Sequence, residues 1–107
     1  MSYPFAKQRI IKDININDDK RIQVTGYIKS RINDELIVLD DKTGQINVNI
    51  IRIEDFNFKN NDLINVIGDL ESTGEQVINA DLVQDMNKLN FEYYQKLYQI
   101  KNELELP

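Results

Sequence analysis

The sequence predicts an all-β barrel of five strands closed by one C-terminal α-helix, and three observations carry that prediction. From residue 21 onward apolar and polar residues alternate with a period of two, the mark of strands with one buried face. Turn-forming clusters punctuate the alternation at 33–34, 40–44, 60–62 and 72–74. After Asn90 the spacing changes to fours and threes, which is helical.

Taken in order, residues 1–19 read as an N-terminal arm. Tyr3, Phe5, Ile10, Ile11, Ile14 and Ile16 stand between polar residues, which suits a segment packing across a domain with a short helical turn near its middle. Asn17, Asp18 and Asp19 end it in a turn. In residues 21–30 Ile22, Val24, Gly26 and Ile28 share one face, and Gln23, Thr25, Tyr27 and Lys29 the other. Gly26 inside a strand marks a bend or a close backbone approach, as a small barrel needs where its first strand serves both halves. Residues 35–39 form a second strand. A tight turn over 40–44 follows, with Gly44 expected at a left-handed position. Residues 45–51 turn Ile46, Val48 and Ile50 inward and Asn47 and Asn49 outward. Residues 52–62 break the alternation, and Ile53, Phe56 and Phe58 can plug one barrel end. Residues 63–70, with Gly68, and 76–83 supply the last two strands around a loop at 72–74. Two meander-like groups joined by a connector between the third and fourth strands match the five-stranded OB-fold Greek-key barrel. An SH3-like barrel is the rival, and the connector length favours the OB reading. Three parts of one domain result: the arm at 1–19, the barrel at 20–86, and a helical segment at 87–107.

Asn90 can cap that helix, expected over 91–104. Tyr93, Leu97, Ile100 and Leu104 make one continuous face, which Tyr94 and Tyr98 broaden and Phe91 begins. A face that wide exceeds what a helix capping its own barrel needs. The surplus reads as a subunit interface, heptad-like and suited to a partner's helix.

Composition narrows the function. The chain has no Cys and no His, so thiolate zinc sites, disulfides and the commonest general base are ruled out. The pairs Asp18–Asp19 and Asp40–Asp41 sit in turns, where carboxylates bond local backbone. No enzyme, metal or cofactor is expected. No apolar run is long enough to span a membrane, and MSYPFAKQRIIKD has no apolar stretch or small-residue cleavage site of a signal peptide, so an intracellular location is expected. The net charge of −5 argues against strong autonomous nucleic-acid binding but permits a local basic groove.

The segments IQVTGYIKS, LIVLDDKTGQINVNI, DLINVIGDLES and QVINADLVQDMNKLN, with the ending FEYYQKLYQIKNEL, occur in an order that resembles the small and middle subunits of replication protein A and the related subunits of the CST complex. The matching positions are Val24, Gly26 and Ile28, then Asp40, Asp41, Thr43 and Gly44, then Val66, Gly68 and Leu70. The resemblance spans residues 20–104. It implies a non-catalytic subunit of a single-stranded-DNA-binding assembly, held through bundled C-terminal helices, in the nucleus of a eukaryote or the cytoplasm of an archaeon. No long phosphorylatable tail and no winged-helix domain appear in these residues, so the smallest subunit or a compact archaeal-style version is the nearer likeness.

Two candidate sites follow. An OB barrel binds single strands with a basic groove and aromatic platforms, and here Tyr27, Lys29, Arg31, Asn47, Asn49 and Arg52 would line it, with Thr25 beside them. The plainer alternative packs Tyr27 beneath the N-terminal arm and leaves the cations solvated. The second site is the helix face of Phe91, Tyr93, Tyr94, Leu97, Tyr98, Ile100 and Leu104, its partners other OB-fold subunits. A protein-only adaptor of a DNA polymerase or other replisome assembly remains open, as does an RNA-binding OB module, because 2′-hydroxyl readout leaves no trace in composition.

Overall fold

The alternating segments build the barrel wall. The computed structural model describes residues 6–71 and 76–105, with side chains in the helix described as far as Lys101. The strands are β1 (Lys7–Gln8), β2 (Arg21–Arg31), β3 (Leu36–Asp40), β4 (Gln45–Asn49), β5 (Leu63–Glu71) and β6 (Val77–Asp85); a 3-10 turn covers Ile11–Asp13 and α1 spans Phe91–Glu105. The expected loop at 72–74, Tyr3, Phe5 and the Leu104 side chain lie outside the described residues.

Sheet order is β1-β2-β3-β4-β6-β5, and a further pairing of β2 with β5 closes the barrel. Its long first wall strand makes this possible. Residues 21–27 of β2 pair antiparallel with β5, and residues 27–31 pair with β3, so Tyr27 sits where the strand passes from one half to the other. The parallel contact of β4 with β6 completes the Greek key. Among the described residues the count is one strand above the expected five because two residues of the arm, Lys7 and Gln8, lie parallel to Ile22 and Gln23.

Inward residues are those the period assigns. Ile22, Val24, Ile28, Ile37, Leu39, Ile46, Val48, Ile64, Val66, Ile78 and Ala80 form one core, joined by Ile11 and Ile50, while Ile53, Phe56 and Phe58 pack against it from the connector. Gly68 permits the closest backbone approach. A Cβ there would stand 2.1 Å from the carbonyl oxygen of Asn79, so the β5–β6 ladder, irregular at this point, could not keep its register around an alanine.

Two local expectations need correcting. In the 40–44 turn the left-handed residue is Lys42, at φ 72°, not Gly44. The Asp carboxylates explain why: Asp40 accepts from Lys42 N (2.7 Å) and Asp41 from Thr43 N (2.9 Å), forming two consecutive side-chain turns. Gly44 instead leaves room for Ile11, whose Cγ2 would be 3.1 Å from an added Cβ. The second correction concerns β2. An irregularity between Ile28 and Ser30 breaks the alternation, because a bulge re-aims every side chain beyond it.

Candidate nucleic-acid and subunit interfaces

The bulge decides how much of the expected groove is assembled. Beyond it Ser30 pairs with Val38 and Arg31 with the core residue Ile37. Arg31 therefore leaves the face of Tyr27. Its guanidinium lies 5.4 Å from the centre of the Phe56 ring and donates to the carbonyls of Asn33 and Asp34. There it lines a depression at the plugged barrel end with Phe56, Phe58 and Lys59. Thr25 is not a surface contact either. It is buried, and its hydroxyl donates to Asn65 Oδ1 at 2.9 Å.

Tyr27 and Lys29 stay together, with Asp40, Lys42 and Asn61 around them. Tyr27 is half-buried, and the contacts around its ring come from the helix and the 40–44 turn. The edge of Phe91 meets its ring at 5.1 Å between centroids, and Lys42 Nζ stands 5.6 Å from its centre. Lys29 reaches Asp40 only at 3.9 Å. Asn47 and Asn49 lie on the same outer face of the sheet but two strands from Tyr27, on β4 opposite Val38 and Leu36; Gln45 and Gln76 extend the amide character around Asn47. Asn49 Oδ1 already accepts from Ile51 N. Arg52 is paired with Asp81 at 2.9 Å, and Asp81 also holds Arg21. Hydrogen bonds from Arg21 first, then from Arg52, outweigh burial and lower the Asp81 carboxyl below its ordinary range. The six expected groove residues are thus spread over separate places. One corner keeps an aromatic with two lysines, and one strand keeps the amides.

The helix shows a sharper division. Asn90 caps it, its side chain accepting from Tyr93 N at 3.1 Å. Phe91 (5% exposed) and Tyr98 (3%) face the body of the protein, with Tyr94 half-buried between them. Polar tips on this side are satisfied. Gln8 Nε2 donates to Tyr94 Oη (2.7 Å), Tyr98 Oη donates to Asp13 (3.2 Å), and Gln95 Nε2 donates to the Asp41 carbonyl (2.6 Å). Tyr93, Leu97 and Ile100 face the other way, 60%, 47% and 51% exposed. The single broad face expected from the sequence is two faces, one occupied by the chain's own arm and barrel, one bare.

The arm that covers the inner face is itself pinned at two places. Asp41, only 1% exposed, accepts from Ile11 N at 2.7 Å as well as from the Thr43 N–H and hydroxyl. Asp19, its side chain fully buried, receives Arg9 Nε at 2.9 Å and Asn15 N at 2.9 Å. Burial pushes the Asp19 carboxyl up, but these hydrogen bonds outweigh it and leave the group below the usual carboxylate range. The turn motif therefore works as a joint between arm, barrel and helix. Nothing in its local spacing announces that, since the partners are 30 and 54 residues away. Among the described residues no group of acidic side chains is placed to hold a metal ion, and no helix is long and apolar enough to cross a membrane.

Against known proteins, residues 5–105 match the family model described as a telomere-capping, CST complex subunit of the Ten1 type. No curated protein sequence matches the chain. Solved structures with the same fold include the S. pombe Stn1–Ten1 complex (TM-score 0.76, 17% identity, 92% of each chain covered). The telomere capping protein Ten1 described as from Saccharomyces pombe is similar as well (TM-score 0.76, 18% identity, 92% of this chain and 98% of that one). A chain of a replication protein A heterotrimer bound to single-stranded DNA follows at TM-score 0.61 and 17% identity, covering 80% of this chain and 73% of that one. At such identities these likenesses establish the barrel and its helix, and the family match over nearly the whole chain does the rest: this protein belongs to the Ten1 family of telomere-capping CST complex subunits.

Proposed function

We propose that this chain is a non-catalytic subunit of a replication-protein-A-like, single-stranded-DNA-associated complex in the nucleus, and that it joins an OB-fold partner of the Stn1 kind through the outer face of α1. The observation that carries the proposal is the bare stripe of Tyr93, Leu97 and Ile100 on a helix whose opposite face is already filled. A contiguous apolar surface with tyrosine in it is characteristic of an interface. Family membership and the replication protein A likeness support the type of complex. In DNA replication, repair or end protection the barrel would add a weak strip to the strand's path, from the Tyr27, Lys29 and Lys42 corner and the β4 amides.

The direct test is co-expression of the chain with its OB-fold partner subunit. Replacing Leu97 and Ile100 by Asp should abolish co-purification while leaving the circular dichroism and melting temperature of the chain alone unchanged. Retention of the complex by that variant would overturn the assembly role of α1.

A protein-only adaptor is the second reading, and the ion pairs favour it, because Arg52 is engaged by Asp81 and Arg31 by loop carbonyls. Binding of the intact complex to an oligo-dT strand separates the two. If Tyr27→Ala and Lys29→Ala weaken it several-fold, with a shallower salt dependence, the barrel touches DNA. Unchanged affinity leaves the adaptor.

A further inference from the structure

The connector between β4 and β5 does more than plug the barrel end. Phe56 and Phe58 stand half-buried and edge to face, with 5.3 Å between centroids. With Arg31, Ile37, Lys59 and Asn60 they line an open depression of about 490 Å³, a size that takes a small group. Its two charged lining residues are both cations, and neither is neutralised. Arg9, Arg21 and Arg52 each hold a carboxylate. Arg31 holds none: it donates to the loop carbonyls of Asn33 and Asp34 and lies over the Phe56 ring. These contacts position the guanidinium and leave part of its five-donor fork unused. Among the described residues the Lys59 side chain has no hydrogen bond or ion pair; Asp62 takes only its backbone N–H. The surroundings have the opposite sign. Asp34, whose carbonyl Arg31 holds, and Asp55, next to Phe56, are exposed, with Glu35 and Glu54 beside them in the chain. None of these four lines the depression.

We propose that this depression binds a short peptide segment of another protein, one in which an aromatic side chain stands next to a single carboxylate. The ring packs against the edges and faces of Phe56 and Phe58, and the carboxylate takes charge-assisted hydrogen bonds from Arg31 and Lys59. A nucleic-acid strand also offers rings and anions, but it brings a phosphate at every residue. The phosphates on either side of the bound one would meet the acidic rim, and like charges in contact suppress a partner. An isolated negative charge avoids that repulsion. The depression shares no residue with the contacts of α1 described above, so this inference goes beyond the assembly reading and does not depend on it.

The test titrates the isotope-labelled full chain with short synthetic peptides and follows its backbone amide signals by NMR, which reads binding down to the millimolar range. One peptide has a central Trp-Asp pair among Gly and Ser; the controls carry Trp-Asn and Ala-Asp, and an oligo-dT strand is titrated in parallel. The Trp-Asp peptide should shift amides at 31, 37 and 56–60, and each control peptide should bind roughly fivefold more weakly at low salt, with the Asp preference shrinking at high salt. Lys59→Gln and Arg31→Gln should each bring the Trp-Asp peptide to the level of Trp-Asn. Both replace exposed side chains, and Lys59→Gln alone carries the test if Arg31→Gln disturbs the fold. Equal binding of Trp-Asp and Trp-Asn would overturn the carboxylate assignment. Absence of shifts at these amides with every peptide would overturn the site. Tighter binding of oligo-dT at the same amides would replace the peptide with a strand.

Discussion

The two faces of α1 are built from the same kinds of residue and have opposite fates. Phe91, Tyr94 and Tyr98 lie over β2 and the arm, with each tyrosine hydroxyl in a hydrogen bond. Tyr93, Leu97 and Ile100 are at least 47% exposed. Residue type does not distinguish them. Position does: the two sets are centred roughly 130° apart around the helix at about 100° per residue, and the arm reaches only one of them. An amphipathic helix that satisfies its own barrel with one side and carries a second apolar side has a hydrophobic surface in excess of what folding uses, and that excess is what an assembly subunit needs.

Truncation should expose the contrast most strongly at Phe91. Its ring is 5% exposed and meets both Tyr27 and Tyr94, so Phe91→Ala should destabilise the isolated chain by about 3–4 kcal/mol. Chemical denaturation would measure this as a lower midpoint at unchanged slope. A loss below about 1 kcal/mol would mean that the inner face is no better packed than the outer one.

Next in size is the clasp that holds the arm over that inner face. Asp19→Asn leaves Arg9 without its carboxylate and should cost about 3 kcal/mol at neutral pH. The sign of the pH dependence follows from the lowered Asp19 pKa. A carboxyl whose folded pKa lies below its unfolded value, near 4, contributes its full stability above that unfolded value. The contribution is lost as pH falls through the folded pKa. Urea midpoints of the parent and of Asp19→Asn should therefore be well separated at pH 7 and converge in acid. A gap that stays constant to pH 3 would show that the ion pair is not its source.

How much of this was legible in the sequence depends on the range of the contacts involved. Strand positions were, because alternation is local and barrel closure obeys it: Ile22, Val24 and Ile28 are all buried as the period requires. The helix start was legible too, because an Asn cap acts within one turn. The bulge after Ile28 was not, since the RIQVTGYIKSR segment carries no extra residue type to mark it, and missing it put Arg31 on the wrong side of the strand. The division of the helix was only half legible. Spacing contained both stripes, but which one the barrel takes is set by contacts such as Gln8 to Tyr94, 86 residues apart. Asp41 illustrates the same limit. Read alone it is a turn carboxylate; in the fold it also holds Ile11 of the arm, and its carbonyl receives Gln95.

A finer comparison is available at Tyr98 and Tyr93, two tyrosines of one helix. Tyr98→Phe keeps the buried ring and removes the donor to Asp13, so the expected loss is about 1 kcal/mol. Tyr93→Phe, at a position 60% exposed, should leave the isolated chain unchanged. Thermal melts of the pair would separate a hydrogen-bond effect from a general effect of losing a hydroxyl.

The smallest expected effect on stability is the most informative. Replacing Tyr93, Leu97 and Ile100 together by Ser should move the stability of the chain alone by about 0.5 kcal/mol or less per site, because these side chains touch solvent where the barrel offers them nothing. Some cost in helix propensity is expected from three serines, so the fair control is the same triple replacement by Ala, which keeps the helix and still deletes the stripe. If the alanine triple melts with the parent, the outer face contributes nothing to this fold, and three large exposed apolar residues need another reason to be there. If it melts several degrees lower, the stripe is packed in solution against some part of the chain itself, and the contrast between the faces collapses along with the case for a partner on α1.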